Sequence, residues 1–145
     1  MIVYFDSGAL VKRYIAEPAS AQVGTLLAEA VVTGTSQITR AEVAAALAKA
    51  ARQNWLTRDE AARALKAFQQ HWSVLFRLNI REATIERAEG LAWEHGLRGY
   101  DAVHLASALL WQSGLNEPVT LATFDQQLWD AAQLVGLEVW PEALE

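Results

Sequence analysis

The sequence contains no cysteine, few prolines and no long hydrophobic run. Without cysteine, the chain can form neither disulfides nor thiolate metal sites, and it has no cysteine nucleophile. Its apolar stretches stay well below the roughly 18 residues that a membrane-spanning helix needs. The segment 1–6 has no basic leader before its acid, so we expect no signal peptide. These absences favour a cytoplasmic protein that does not associate with a membrane.

Basic residues are also in the minority. The chain has 12 Lys and Arg against 17 Asp and Glu, a formal net charge of −5, which argues against a broad basic face that coats nucleic acid. Carboxylates gathered around a cation would account for part of this excess, and the cation would still let a phosphate approach. The length of 145 residues and the 52% hydrophobic content predict one folded domain over residues 1–145.

Short β-prone segments alternate with helical segments along the whole chain. Strands are predicted at about 2–5, 35–38, 73–80, 119–123 and 137–140. Helices are predicted at about 7–15, 18–30, 39–53, 57–71, 81–95, 99–113 and 125–134. This alternation predicts a three-layer α/β/α fold with a central parallel sheet flanked by helices. In such folds ligands bind beyond the carboxyl ends of the strands.

Four acids are expected at that carboxyl edge. Asp6 directly follows the first strand, Asp125 follows the fourth, and Glu42 and Asp101 lie in first helical turns. The last three also have a purely structural interpretation, because acids are favoured at helix N-termini and Glu42 matches a capping box with Thr39. Asp6 is not explained in this way, because it interrupts a buried junction where an unpaired carboxylate is costly.

Convergence of these acids implies a bound cation. Mutual repulsion would otherwise force some of the carboxylates to take up protons. A site of carboxylate oxygens without cysteine suits Mg²⁺, or alternatively Mn²⁺, rather than zinc or copper. Such ions commonly recruit phosphate groups and activate water for hydrolysis. His104 follows Asp101 by about one helical turn, and we interpret it as a packing residue rather than a ligand.

Four segments carry a resemblance to a known family. They are VYFDSGALVK at 3–12, ITRAEV at 38–43, DAVHLASA at 101–108 and ATFD at 122–125. In order and spacing they resemble the signature blocks of PIN domains, and among these the VapC toxins of toxin–antitoxin pairs. The resemblance implies a Mg²⁺-dependent endoribonuclease that cuts structured RNA such as transfer or ribosomal RNA. It also implies a small VapB-like antitoxin as partner and a homodimer, for which the hairpin 41–71 is the predicted interface.

The resemblance also assigns roles to individual residues. The catalytic, metal-binding acids are Asp6, Glu42, Asp101 and Asp125, and the supporting hydroxyl groups are those of Ser7 and Thr123. Arg40 lies inside the second segment and is a candidate for binding substrate phosphate. In two places the sequence departs from the family pattern: Gly8 stands where relatives often carry Ser or Thr, and Gln126 and Gln127 stand where some carry a further acid. One metal ion is therefore a firmer expectation than two.

Other functions fit only parts of the pattern. An aspartate-nucleophile phosphatase would need a second acid at the position of Gly8, and a receiver domain would need adjacent acids after the first strand and a late lysine. The remaining alternative is a non-catalytic PIN-like scaffold that binds RNA or a protein. In such a scaffold we would expect at least one of the four acids to have been replaced.

Overall fold

The computed structural model describes all 145 residues and contains a five-stranded parallel sheet. The strands are β1 (Ile2–Phe5), β2 (Val32–Ser36), β3 (Phe76–Leu78), β4 (Val119–Ala122) and β5 (Glu138–Trp140), in the order β3-β2-β1-β4-β5. The helices are α1 (Ser7–Val11), α2 (Ser20–Glu29), α3 (Thr39–Arg52), α4 (Arg58–Trp72), α5 (Glu82–His95), α6 (Gly99–Leu115) and α7 (Gln126–Leu134). None of the helices combines the length and hydrophobicity needed to span a bilayer.

Helices cover both faces of the sheet. In the central strand β1, Val3 and Phe5 pack into one core with α1, α2, α3 and α4, while Tyr4 packs into a second core with α5, α6 and α7. This alternation follows from the two-residue period of a strand. All three side chains are fully buried, as expected for a parallel sheet covered on both faces. The predicted three-layer α/β/α fold is confirmed.

Some element boundaries differ from the predicted ones. The predicted strand 73–80 shortens to β3, because Ser73 is the C-cap of α4 and the chain turns before the strand begins. The second strand starts earlier, at Val32, which pairs with Ile2 of β1. The first helix ends at Val11 rather than near residue 15. Each difference lies at the end of an element, where local propensity is the weakest guide.

The capping box predicted at Thr39 is wrong. Ile38 is the N-cap of α3, and no side chain caps that helix end. The Thr39 hydroxyl instead pairs with the buried Thr35 hydroxyl at 2.7 Å, and Thr35 donates to the Phe5 carbonyl of β1, so a buried hydrogen-bond network replaces the cap. The similar signature at Thr57 and Glu60 does form a capping box on an exposed helix end, where no such competitor is present.

The carboxyl edge of the sheet collects the starts of several helices. β1 leads directly into α1, β2 leads into α3 and β4 leads into α7, so these three helices begin at that edge. Helix α6 follows α5 rather than a strand, but it ends shortly before β4 begins. Because β4 starts at the amino edge of the sheet, α6 must begin near the carboxyl edge. The fold thereby brings together the residues just before and within these helix starts.

Candidate active site

The four predicted acids lie at this carboxyl edge. Asp6 and Asp125 are the N-caps of α1 and α7, and Glu42 and Asp101 lie in the first turns of α3 and α6. Asp6 and Asp101 are buried, whereas the side chains of Glu42 and Asp125 are 21% and 31% exposed. The site is therefore partly open to solvent on one side and closed toward the sheet on the other.

Asp6 is held by two hydrogen bonds. Its Oδ1 accepts from the Ala9 backbone N–H at 2.8 Å, and its Oδ2 accepts from the Thr123 hydroxyl at 2.5 Å. Burial raises the pKa of Asp6, while the nearby His104 and these two hydrogen bonds oppose the rise. Each oxygen accepts one bond from the chain and keeps a further lone pair. Asp6 is thus rigidly oriented and still able to bind a cation.

Glu42 is connected to the interior through His104. His104 Nε2 lies 2.7 Å from Glu42 Oε1, and Nδ1 of the same ring lies 2.7 Å from the Tyr4 hydroxyl. Since the Tyr4 hydroxyl can donate to Nδ1, we assign the proton to Nε2, which then donates to Glu42. Tyr4 and His104 are almost completely buried, so this chain of hydrogen bonds gives Glu42 one fixed oxygen. Glu42 Oε2 receives no hydrogen bond from the chain.

Asp101 and Asp125 are joined by Arg98. The Arg98 Nε donates to Asp101 Oδ2 at 3.0 Å, and its Nη2 donates to Asp125 Oδ2 at 3.1 Å. Asp125 Oδ1 accepts from the Leu128 backbone N–H at 2.9 Å, which caps α7. Burial raises the pKa of Asp101, and the hydrogen bond and charge of Arg98 act in the opposite direction. One guanidinium therefore partly neutralises two carboxylates that come from different helices.

The remaining predicted residues differ in their contacts. Thr123 is buried, donates to Asp6 and accepts from the Asp125 backbone N–H, so it lies between two of the acids. Ser7 is the first residue of α1, but its hydroxyl makes no hydrogen bond to any of the acids. Arg40 is exposed and lies over the Trp72 ring, 5.9 Å from its centroid, without contacting an acid. The roles predicted for Ser7 and Arg40 therefore stay predictions.

The chemistry of the donor set fits a hard divalent cation. Four carboxylates from separate parts of the chain supply only oxygen donors, as Mg²⁺ and Mn²⁺ prefer. No three acid or histidine side chains surround a common point in this arrangement. Arg98, Thr123 and His104 each make hydrogen bonds to one or two of the acids. Burial raises the pKa of Asp6 and Asp101, and a cation bound at this edge would favour their charged forms.

Sequence reasoning missed two contacts at the site. Arg98 was recognisable only as a basic residue near the edge, although its spacing of three residues before Asp101 is typical of a helical ion pair. The spacing of three residues places His104 one turn from Asp101 on the same helix, whereas its hydrogen-bond partners are Glu42 and Tyr4, 62 and 100 residues away in sequence. No local pattern signals contacts of that kind.

Comparisons with known proteins give a family match, similar sequences and structures with the same fold. The sequence profile of the PIN domain matches residues 3–134. Ribonuclease VapC45 of Mycobacterium tuberculosis is 35% identical over 145 residues, which cover 99% of this chain and 98% of that protein. The structure of FitAcB from Neisseria gonorrhoeae superposes with a TM-score of 0.70 at 20% identity, covering 95% of this chain and 96% of that one. A toxin-antitoxin complex from Klebsiella pneumoniae gives a TM-score of 0.61 at 23% identity, covering 85% and 86%.

Proposed function

This chain belongs to the PIN domain family, and we propose that it is a metal-dependent endoribonuclease that acts as the toxin of a toxin–antitoxin pair. The observation that carries the proposal is the 35% identity to a protein named as a ribonuclease over nearly the full length of both chains. The four carboxylates at the carboxyl edge support the same reading, because an all-oxygen site suits phosphodiester hydrolysis. A VapC-like ribonuclease is the function that unites the family match with the chemistry of the site.

Asp6, Glu42, Asp101 and Asp125 are the residues that would hold the cation, with Mg²⁺ preferred and Mn²⁺ as the alternative. When bound, such an ion supplies an activated water and stabilises the charge that develops on phosphorus. The chain itself orients the acids through Thr123, His104 and backbone N–H groups. Fixing the carboxylates before the ion arrives lowers the entropy cost of assembling the site.

Three further features belong to the proposal. The substrate is RNA, in particular structured RNA, and Arg40 at the exposed start of α3 is a candidate contact for its phosphates. The protein partner is a small VapB-like antitoxin, in keeping with the toxin-antitoxin complex among the structures with this fold. The chain forms a homodimer, and the α3–α4 hairpin is the predicted interface.

The test is RNA cleavage by the purified chain with and without divalent cations. We expect cleavage with Mg²⁺ or Mn²⁺, and its loss when EDTA is added. Asp6→Asn should lower the rate by at least about a hundredfold, because residues that merely orient metal ligands already contribute roughly 10- to 100-fold. Asn retains the side-chain oxygen that caps α1, so the variant should fold.

The matched control is Asp59→Asn, which removes one exposed acid from the first turn of α4, far along the chain from the site. This variant should cleave RNA at the rate of the unmodified protein. Cleavage that survives EDTA, or that is equally fast in Asp6→Asn, would refute the metal-dependent mechanism. Binding of RNA without any cleavage would favour the scaffold alternative instead.

A further inference from the structure

Arg98 is the only lysine or arginine whose side chain contacts any of the four acids. It precedes α6, and its guanidinium reaches two acids at once, Asp101 at 3.0 Å and Asp125 at 3.1 Å. Lys12 is paired with Glu17, and Arg40 lies over Trp72. The positive charge closest to the carboxylates therefore comes from one residue of the chain itself.

The hydrogen bonds of Asp125 and Asp101 show which carboxylate oxygens Arg98 and a metal ion would both use. Its Oδ1 caps α7 by accepting from the Leu128 backbone N–H, and its Oδ2 accepts from Arg98. The Oδ2 of Asp101 accepts from the same guanidinium, whereas its Oδ1 receives no hydrogen bond. The two Oδ2 atoms thus share a single cation, in the way that two carboxylates share a bound metal ion. A divalent cation that bound both Oδ2 atoms would lie close to the guanidinium, and the repulsion between the two positive charges would favour displacement of the arginine.

The Arg98 side chain can move away from the two acids. Its side chain is 59% exposed, so no core packing holds it in place. Its guanidinium carbon also lies 5.2 Å from the centroid of the Tyr100 ring, which offers a cation–π contact that does not involve the acids. Because the guanidinium side of both ion pairs is open to solvent, water screens these pairs, and exchange of the arginine for a doubly charged ion is favourable.

We propose that Arg98 holds the place of the divalent cation in the metal-free protein and is exchanged for it when the site is loaded. This inference rests on the proposed function, because it requires that Asp101 and Asp125 bind a cation. It assigns Arg98 a role in regulating that site: the arginine screens the repulsion between the two acids, and it sets the metal concentration at which loading occurs. Arg98 is therefore a competitor of the metal ion rather than a ligand or a catalytic residue.

The test is titration of the EDTA-treated, dialysed full chain with Mn²⁺, followed by calorimetry and by the electron paramagnetic resonance signal of free Mn²⁺. Arg98→Gln should bind Mn²⁺ on the order of fivefold more tightly than the unmodified protein, as expected when an exposed ion pair no longer competes. Arg98→Lys keeps the charge but cannot span both acids, so its affinity should lie between the two. Arg87→Gln removes the same charge from the exposed face of α5 and controls for the change in net charge.

A second measurement separates competition from a general effect on folding. The melting temperature of metal-free Arg98→Gln should be lower than that of the unmodified protein, and saturating Mn²⁺ should raise it by a larger increment. Unchanged or weaker Mn²⁺ binding by Arg98→Gln, or an effect of equal size in Arg87→Gln, would overturn the inference while leaving the metal site intact. Absence of Mn²⁺ binding in every protein, including the unmodified one, would instead reject the proposed function and this inference together.

Discussion

Replacing His104 by leucine tests how the interior of the protein controls Glu42. His104 is 1% exposed and makes two hydrogen bonds of 2.7 Å, one to the Tyr4 hydroxyl and one to Glu42. In His104→Leu, the fully buried Tyr4 hydroxyl loses its acceptor, which costs about 1–3 kcal/mol. The buried hydroxyl of Ser107 lies beside Tyr4 and can restore part of that bond. The Glu42 side chain is 21% exposed, so water can hydrate its freed oxygen at little cost.

We therefore expect His104→Leu to lower the free energy of unfolding by about 1–3 kcal/mol, measured by urea denaturation of the metal-free protein. The double variant Tyr4→Phe/His104→Leu should be less destabilised than the sum of the two single variants, because removing both partners leaves no unpaired buried group. This gives a coupling energy of about 1 kcal/mol or more between the two residues. Additive effects of the two changes would show that the hydrogen bond does not contribute to stability.

The same substitution should weaken the metal site. Without its donor, Glu42 samples more orientations, and Mn²⁺ affinity should fall by roughly 10- to 100-fold, the usual effect of losing a residue that orients a metal ligand. In His104→Gln, the amide nitrogen can still donate to Glu42, so most of the affinity should return. If folded His104→Leu binds Mn²⁺ as tightly as the unmodified protein, then His104 does not position Glu42 for the cation.

Three further outcomes follow from the structure. Burial raises the pKa of Asp6 and Asp101 above the unfolded value, so both carboxyl groups bind protons more tightly in the folded protein. The free energy of unfolding of the metal-free protein should therefore decrease as pH rises from about 4, where the unfolded chain loses these protons, through the folded pKa values. Protons and Mn²⁺ compete for the same carboxylate oxygens. On acidification, Mn²⁺ affinity measured by titration should therefore begin to fall at a higher pH than it would for a site built from aspartates with ordinary pKa values. Gly34→Ala should destabilise the protein by about 1–3 kcal/mol in urea denaturation, because the added Cβ would lie 2.5 Å from the Trp111 ring. Gly24→Ala is the control: nothing lies within 4 Å of its added Cβ, and in the interior of α2 the change should be stabilising or neutral.

Much of the candidate site was predictable from local sequence. Asp6 and Asp125 follow β-prone segments, and the fold class places the ends of parallel strands at one edge. The N-cap role of Asp125 was also predictable, because a single side chain and the next turn of helix suffice to form it. These features depend on the strand and helix periods and on neighbours a few residues away, which is the range over which sequence patterns carry physical information.

The hydrogen bonds that join distant segments around the site were decided by tertiary structure. Thr39 matches a capping box in sequence, yet its hydroxyl pairs with that of Thr35, which donates to the Phe5 carbonyl of β1, a contact that exists only in the assembled sheet. His104 binds Glu42 across 62 residues, a pairing that exists only once α3 and α6 pack on the sheet.

The sequence by itself determined the alternation of strands and helices, the parallel sheet and the edge at which the acids lie. Tertiary structure alone decided that Arg98 spans Asp101 and Asp125 and that Tyr4 supports Glu42 through His104. The physical reason is range: backbone propensity and side-chain periodicity act over a few residues. Hydrogen bonds of a site that spans most of the chain depend instead on which surfaces are buried together, and that is settled only when the whole sheet has assembled.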